Sequence, residues 1–184
     1  MQRIVYRGIG FEEGKEVIHK QKYDRDEMRV FQKGIAAKSV FGSGIYLVSD
    51  IELAIQYAFC HAEAEKKDGL AAILKQQLTI ENPFILNYRY TEKKLRKDAL
   101  DWKYQNTTMS NLRSNQNSLQ LKEKMKDIIK EYLLFHDYDS IVYYVDDKLV
   151  YYVSYYPELQ ISNIKMDFHF NIKDLTRTRC ASSQ

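Results

Sequence analysis

The sequence predicts an α+β fold built from mainly antiparallel sheets. Short segments alternate apolar and polar residues, as strands with one buried face do, and two longer stretches repeat apolar residues with the period of a helix. Two of the alternating segments flank a short acidic turn, which is typical of a hairpin. Strands therefore come in groups between the helices, and this order argues against a doubly wound parallel sheet. The 184 residues include 15 tyrosines, which favour half-buried strand positions.

Turn residues and a helix-cap pattern divide the first 70 residues into predicted elements. Two glycines in residues 41–44 (FGSG) allow positive φ and predict a flexible turn. Ser49, with Glu52 three residues later, has the form of a capping box, so a helix should follow. The predicted elements are a strand at 2–8, a loop at 11–34 with one short helix around 24–33, a strand at 45–48 and a helix from Ser49 to about Lys67.

The remainder of the chain contains more strands and one long amphipathic helix. Residues 104–118 are almost all polar, which predicts a loop insertion. The whole chain, 1–184, has the length of a single domain. The predicted elements are strands at 70–80 and 84–90, a short helix at 95–103, a helix at 119–135, a hairpin of 140–145 and 149–155, and a last strand at 159–172.

The composition excludes several classes of protein. The net charge is +3, from 28 basic and 25 acidic residues, which gives no electrostatic footprint for nucleic acid but leaves a local patch open. The two cysteines, Cys60 and Cys180, cannot build a disulfide framework. No apolar run reaches the roughly 18 residues that span a bilayer. The chain starts in a strand-like alternation without a charged-then-apolar leader, so we expect a cytoplasmic protein without a membrane partner.

Common catalytic and metal-binding motifs are missing from the sequence. None of the four histidines shares a ligand spacing with a cysteine or another histidine, so no metal is predicted. The glycines of residues 41–44 lead into a strand, whereas a phosphate-binding loop precedes a helix N-terminus. No serine lies in GxSxG, and neither cysteine lies in a nucleophile motif.

Four segments follow one another in a fixed order between residue 3 and about residue 165. They are Tyr6-Arg7-Gly8, then FGSGIYL at 41–47 with Ala54 and Tyr57 after it, then LTIENPFIL at 78–86, and finally YDSIV at 138–142 with PELQI at 157–161. In this order and at these separations they resemble the ADP-ribosyltransferase superfamily, whose members split NAD and transfer ADP-ribose. The second segment is similar to the poly-ADP-ribose-polymerase version, and the third to phage and mobile-element members.

The resemblance implies a split β-sandwich, in which two mainly antiparallel sheets with flanking helices enclose an NAD cleft. NAD is then a substrate, and no metal is required. The backbone of Gly8 would grip the nicotinamide amide, and Arg7 would hold ribose hydroxyls or a phosphate. The structural alternatives are a surface arginine at a strand end for Arg7, a core tyrosine for Tyr46 and a core residue on a helix face for Tyr57. The implied binding set is Tyr6, Arg7, Gly8, Gly44, Tyr46 and Tyr57, and the implied catalytic set is Arg7 and Tyr46 with Asp147 or Asp139.

The sequence departs from the superfamily at the acidic position. Members with a catalytic glutamate carry it at the start of the strand before the proline and glutamine of the last segment. Counting back from Pro157 reaches Tyr151, and counting back from Gln160 reaches Tyr152, so the register is ambiguous and neither residue is acidic. Asp147, its neighbour Asp146, or Asp139 are the alternative sources of a carboxylate. Members without the glutamate are typically single-unit transferases or inactive.

The function that the resemblance implies is mono-ADP-ribosylation of a macromolecular acceptor, most simply a protein of a host cell, with nucleic acid left open. Two alternatives remain at this stage. One is a binding module for NAD or ADP-ribose that has lost catalysis, and the other is an NAD-hydrolysing toxin, because the YRG opening also occurs in such proteins. The sequence identifies neither the acceptor nor an oligomeric state.

Overall fold

The computed structural model describes residues 1–24, 40–65, 69–104 and 118–174. Within them the chain forms seven strands and five helices. The strands are β1 (Gln2–Gly10), β2 (Ile45–Val48), β3 (Leu70–Thr79), β4 (Pro83–Leu86), β5 (Ser140–Tyr144), β6 (Val150–Ser154) and β7 (Ile161–Asn171). The helices are α1 (Phe11–Lys20), α2 (Ile51–Glu65), α3 (Glu92–Lys103), α4 (Ser118–Phe135) and α5 (Pro157–Gln160).

The strands form one sheet with a weak junction in its middle. Their order is β4-β5-β6-β2-β1-β3-β7. β1 pairs with β3 along its whole length, from Gln2 to Gly10, whereas it pairs with β2 at one position only, Tyr6 opposite Val48. The sheet therefore divides into two halves, β4-β5-β6-β2 and β1-β3-β7. Every pair of neighbouring strands is antiparallel except β4 with β5.

The two halves share a hydrophobic core on the face of the sheet that α1 covers. That core takes Ile45 and Leu47 from one half and Val5, Ile9 and Leu74 from the other. On the opposite face, small alanines of α2 pack against β1 and β3, and the apolar faces of α3 and α4 pack against β4, β5 and β6. Two half-sheets that meet at one bridge and pack around a common core form a split sandwich. The predicted α+β class and the mainly antiparallel pairing are confirmed.

One predicted element was wrong in the N-terminal part, and another lies mostly outside the described residues. The loop expected over 11–34 begins with helix α1, whose Phe11, Gly14 and Val17 lie three residues apart on the side that faces the sheet. Gly14 hides this periodicity in the sequence, because a glycine does not count as apolar. Residues 25–39 and 105–117 lie outside the described residues. They include most of the short helix expected around 24–33 and most of the insertion expected at 104–118.

The start of α2 and the position of β4 also differ from the prediction. Asp50, and not Ser49, caps α2, because Asp50 Oδ1 accepts the backbone N–H of Leu53 at 2.8 Å. Ser49 directly follows β2, and its Oγ accepts the N–H of Val150. Pro83 begins β4, a position at the sheet edge where the missing N–H costs no ladder hydrogen bond.

No helix in the described ranges has the length and apolar character needed to cross a membrane.

Candidate functional site

The junction between the half-sheets opens into a gap, and strand geometry shows which backbone groups face it. Met1 exchanges backbone hydrogen bonds with Ile80, so the odd-numbered residues of β1 direct their N–H and C=O toward β3. The even-numbered ones therefore point toward β2. Tyr6 uses its groups in the single pair with Val48, and Gly8, two residues on, directs its N–H and C=O in the same direction.

The register of that pair would place Gly8 opposite Tyr46, but β1 and β2 do not pair there. We call the space between Gly8 and Tyr46 the β1–β2 gap. It is closed at the Tyr6–Val48 pair, and its open end lies at Gly44, where β2 begins after the FGSG turn. A backbone donor and acceptor on one strand thus face a space that the neighbouring strand has vacated, which is an arrangement that can bind an amide.

Arg7 bridges the gap. Its Nη1 donates to the carbonyl oxygen of Tyr46 at 3.0 Å, and its side chain is only 6% exposed. The guanidinium carbon also lies 4.8 Å from the centre of the Tyr23 ring, which is within cation–π range. A buried cation is costly unless it is hydrogen-bonded, so these contacts both hold Arg7 and keep a positive charge at the gap.

Tyr23 contacts Arg7, and Gln76 holds the hydroxyl of Tyr23. The sequence did not indicate either residue. The Tyr23 hydroxyl donates to Oε1 of Gln76 at 2.6 Å, in the interior next to α1. Gln76 is 1% exposed and lies on β3, 53 positions away from Tyr23 in the chain. A contact across this separation leaves no local pattern, so only the fold reveals that Tyr23 orients the arginine.

Gly8 also has a packing role. A Cβ atom built on it would lie 1.9 Å from the carbonyl oxygen of Ala54 and 2.5 Å from the backbone nitrogen of Ala58, both in α2. Real Cβ atoms do not approach other atoms this closely, so any side chain at position 8 would push α2 away from β1. The glycine is required by helix packing, independently of any ligand.

The FGSG turn, predicted to be flexible, is held by four hydrogen bonds from three side chains. The Tyr46 hydroxyl accepts the N–H of Phe41 at 3.1 Å and donates to the carbonyl of Gly42 at 2.8 Å. The Tyr155 hydroxyl donates to the carbonyl of Phe41 at 2.8 Å, and Lys130 Nζ donates to Ser43 Oγ at 2.7 Å. The expectation of a flexible turn is therefore wrong, because side chains from β2, from the residue after β6 and from α4 hold it.

Both glycines of the turn fit close neighbours. Gly42 has φ of +88°, and a Cβ on it would lie 2.8 Å from Cβ of Lys130. A Cβ on Gly44 would lie 2.8 Å from the carbonyl oxygen of Ser154 and 3.0 Å from Cγ1 of Val153. The turn is thereby pressed between α4 and β6 at the open end of the gap.

The predicted site residues divide between the two faces of the sheet. Because side chains alternate along a strand, Arg7 points to the face of α1, whereas Tyr6 and Gly8 face α2. Tyr6 is half-buried against the alanines of α2, and Tyr57, which lies in α2, is half-buried in the same cluster. Tyr46 packs on the α3 and α4 side. The gap connects the two faces, so the backbone of Gly8 and the guanidinium of Arg7 meet there, but the four side chains do not surround one closed pocket.

Tyr151 and Tyr152, the two residues that the motif spacing offers for an acidic position, lie on opposite faces of the sheet. Tyr152 pairs with Leu47, and Leu47 is level with Arg7 in the register of the junction. Tyr152 belongs to the core on the α1 face, to which Arg7 also points, whereas Tyr151 faces the other side. Burial raises the pKa of Tyr152 above its usual value near 10, against the smaller opposing effect of Arg3. Its hydroxyl is therefore neutral at physiological pH.

Asp139 and Asp147 lie at opposite ends of β5, about 20 Å apart along the strand. Asp147 is exposed in the hairpin turn, beyond the closed end of the gap. Its neighbour Asp146 accepts the N–H groups of Leu149 and Lys148, and these bonds lower the pKa of the Asp146 carboxyl. Asp146 thus shapes the turn.

Both carboxylate oxygens of Asp139 are used in structural contacts. Oδ2 accepts the N–H of Glu81 at 2.9 Å, and Oδ1 accepts the hydroxyl of Ser140 at 2.7 Å. Gln160 adds to this network: its Nε2 donates to the Asp139 carbonyl, and its Oε1 accepts the hydroxyl of Ser154 at 2.6 Å. Asp139 is level with the open end of the gap but two strands away, about 10 Å from β2.

The described residues contain no group of three or more His, Cys, Asp or Glu that could hold a metal ion.

Comparisons with known proteins find little. No protein-family model and no curated protein matches the chain. Among solved structures, the chain is similar to one in the crystal structure of the M. tuberculosis MbcT–MbcA toxin–antitoxin complex, with a TM-score of 0.46 and 9% identity over 93% of this chain and 84% of that one. The fold given above rests on the strand order and packing of this chain alone.

Proposed function

We propose that this chain is an NAD-cleaving enzyme of the ADP-ribosyltransferase superfamily, and that it transfers one ADP-ribose unit to a macromolecular acceptor. One observation carries the proposal. The N–H and C=O of Gly8 face the β1–β2 gap, where β2 has separated from β1 and a buried guanidinium is fixed beside them. The order of motifs in the sequence supports the same conclusion.

The backbone of Gly8 can bind the nicotinamide carboxamide, whose NH₂ matches the C=O and whose oxygen matches the N–H. Cleavage breaks the bond between the ribose C1′ and the nicotinamide nitrogen, and the bonding electron pair neutralises the ring. The acceptor then bonds to C1′ and releases a proton to solvent. Positive charge develops on the ribose in the transition state. Arg7 cannot stabilise that charge, so its role is to hold the ribose hydroxyls or the phosphates.

Transfer stops at one unit because no carboxylate occupies the glutamate position. Extending a polymer requires a general base to activate a ribose hydroxyl, which contributes about 10²–10⁴-fold. The motif spacing offers Tyr151 or Tyr152 for that position and neither is acidic, and the raised pKa of Tyr152 keeps its hydroxyl protonated at neutral pH. The acceptor must therefore be a good nucleophile or bring its own base.

NAD hydrolysis is the second candidate, and the same residue favours it. Tyr152 cannot act as a general base for a macromolecular hydroxyl, so abundant water can instead capture the strongly electrophilic ribose C1′, and the products are then nicotinamide, free ADP-ribose and a proton.

The deciding experiment follows a label on the adenylate phosphate of NAD, incubated with the protein and a cell lysate. Label on macromolecules supports transfer, label in free ADP-ribose supports hydrolysis, and unchanged NAD contradicts both. Arg7→Lys should abolish the reaction, because an ammonium cannot reproduce the planar fork. Arg96→Lys on the exposed surface of α3 is the matched control and should react like the wild type.

A further inference from the structure

Lys130 is a cation without a carboxylate partner among the described residues, and it lies at the open end of the β1–β2 gap. Its side chain is half-buried on α4. Nζ donates to Ser43 Oγ at 2.7 Å and lies 5.7 Å from the centre of the Tyr155 ring. By contrast, Lys103 and Lys20 have a glutamate within reach. An ammonium has three N–H donors, so Lys130 keeps donor capacity for a ligand.

The surroundings hold this ammonium in place. The close approach of Gly42 to the Lys130 stem needs the missing Cβ, and Gly44 is pressed onto β6 in the same way. Ser43, between the two glycines, therefore presents its hydroxyl to Lys130 from a turn that Tyr46 and Tyr155 fix on its other sides. A positioned ammonium beside a hydroxyl is a typical way to bind phosphate oxygens.

The position fits one part of a dinucleotide. Ser43 precedes Tyr46, the residue opposite Gly8, by three residues. Ser43 and Tyr46 are therefore at most ~10 Å apart along the chain. In NAD one ribose separates the nicotinamide from the pyrophosphate. A molecule whose nicotinamide contacts Gly8 thus brings its pyrophosphate toward the open end of the gap, where Lys130 and Ser43 lie.

We propose that Lys130 and Ser43 form the subsite for the pyrophosphate of the dinucleotide. The inference rests on the proposed function, since it places the substrate's phosphates at the mouth of the same gap. It assigns the anion to the FGSG turn and α4, although the turn does not have the sequence of a phosphate-binding loop.

The test compares two ligands by calorimetry. ADP-ribose contains the pyrophosphate, and nicotinamide contains none. Lys130→Met keeps the aliphatic stem against Gly42 and should weaken ADP-ribose binding about tenfold or more, the scale of one charge-assisted hydrogen bond. Nicotinamide binding should not change. Lys130→Arg should restore most of the affinity for ADP-ribose. Lys124→Met, on the exposed side of the same helix, is the matched control and should bind like the wild type.

The outcomes separate this inference from the proposed function. If Lys130→Met binds ADP-ribose as tightly as the wild type, the subsite is wrong and the NAD site stands. An equal loss of nicotinamide binding would also overturn the subsite, because it would show that Lys130 acts only by holding the turn. If the wild type binds neither ligand, both proposals fall. Added salt should weaken ADP-ribose binding more in the wild type than in Lys130→Met.

Discussion

The guanidinium of Arg7 donates to the carbonyl oxygen of Tyr46 at 3.0 Å, across the place where β1 and β2 separate. A strand that leaves its neighbour exposes a row of backbone groups, and each of them needs a partner if it is buried. Arg7 supplies that partner for β2, while the opposite groups, those of Gly8, face the same space from β1. The separation is therefore stabilised by a side chain, and it leaves one donor–acceptor pair available to a ligand.

Replacing Arg7 with lysine tests this bridge. The ammonium cannot both reach the Tyr46 carbonyl and cover the Tyr23 ring, so a buried acceptor loses its partner. We expect the free energy of unfolding to fall by about 1–3 kcal/mol, and NAD cleavage to be lost under conditions where the variant is still folded. Urea denaturation and nicotinamide release measure the two effects. Full stability together with full activity would show that the bridge is unimportant.

Gly8→Ala should prevent normal folding. The new methyl group would lie 1.9 Å from the Ala54 carbonyl, a backbone atom that cannot move without shifting α2. Gly14→Ala is the matched control, because its methyl would lie 3.3 Å from Cβ of Ala72, so a shift of a few tenths of an ångström accommodates it and the variant should fold. Circular dichroism during heating compares them. A Gly8→Ala variant as stable as the wild type would contradict the close packing of α2 on β1.

Tyr46 can be separated into its hydroxyl and its ring. Tyr46→Phe removes both hydrogen bonds to the FGSG turn but keeps the ring, and should cost about 1–3 kcal/mol of stability. Tyr46→Ala removes the ring as well. If the ring stacks on nicotinamide, NAD affinity falls in the alanine variant and survives in the phenylalanine variant. If both variants bind NAD as tightly as the wild type in calorimetry, Tyr46 is a purely structural residue.

The two aspartates differ in what their loss should do. Asp139→Asn converts one acceptor oxygen into a donor group beside Glu81 or Ser140, so we expect a measurable loss of stability. Asp147→Asn changes an exposed turn residue and should leave the thermal midpoint unchanged. The register places neither carboxylate in the gap, so both variants should retain NAD cleavage. A variant that binds NAD but no longer cleaves it would identify the catalytic carboxylate.

Much of the fold could be predicted from the sequence, because strand alternation and helical periodicity are local. The positions of α4 and of the β5–β6 hairpin follow from such patterns. What the sequence could not show depends on contacts between distant residues. The FGSG turn has the composition of a flexible loop, and the hydroxyl of Tyr155, 114 positions away, helps to fix it. The support that Tyr23 and Gln76 give to Arg7 is equally non-local.

Tyr155 should make the protein sensitive to alkali. Its hydroxyl is buried and donates to the Phe41 carbonyl, and burial is the main reason that the pKa of Tyr155 lies well above its usual value near 10. In the unfolded chain the same group ionises near pH 10. Its contribution to stability is therefore fully present below about pH 10 and declines as the pH rises toward the folded-state pKa.

Tyr155→Phe isolates that contribution. The variant should be less stable at pH 8 by about 1 kcal/mol, because the Phe41 carbonyl loses a donor. Between pH 10 and 11 its stability should fall less steeply than that of the wild type. Some slope remains, since burial also raises the pKa of Tyr90, Tyr132 and Tyr152. Urea denaturation at each pH measures both slopes. Identical slopes would mean that the Tyr155 hydroxyl ionises equally in the folded and unfolded states, and is therefore not buried against the FGSG turn.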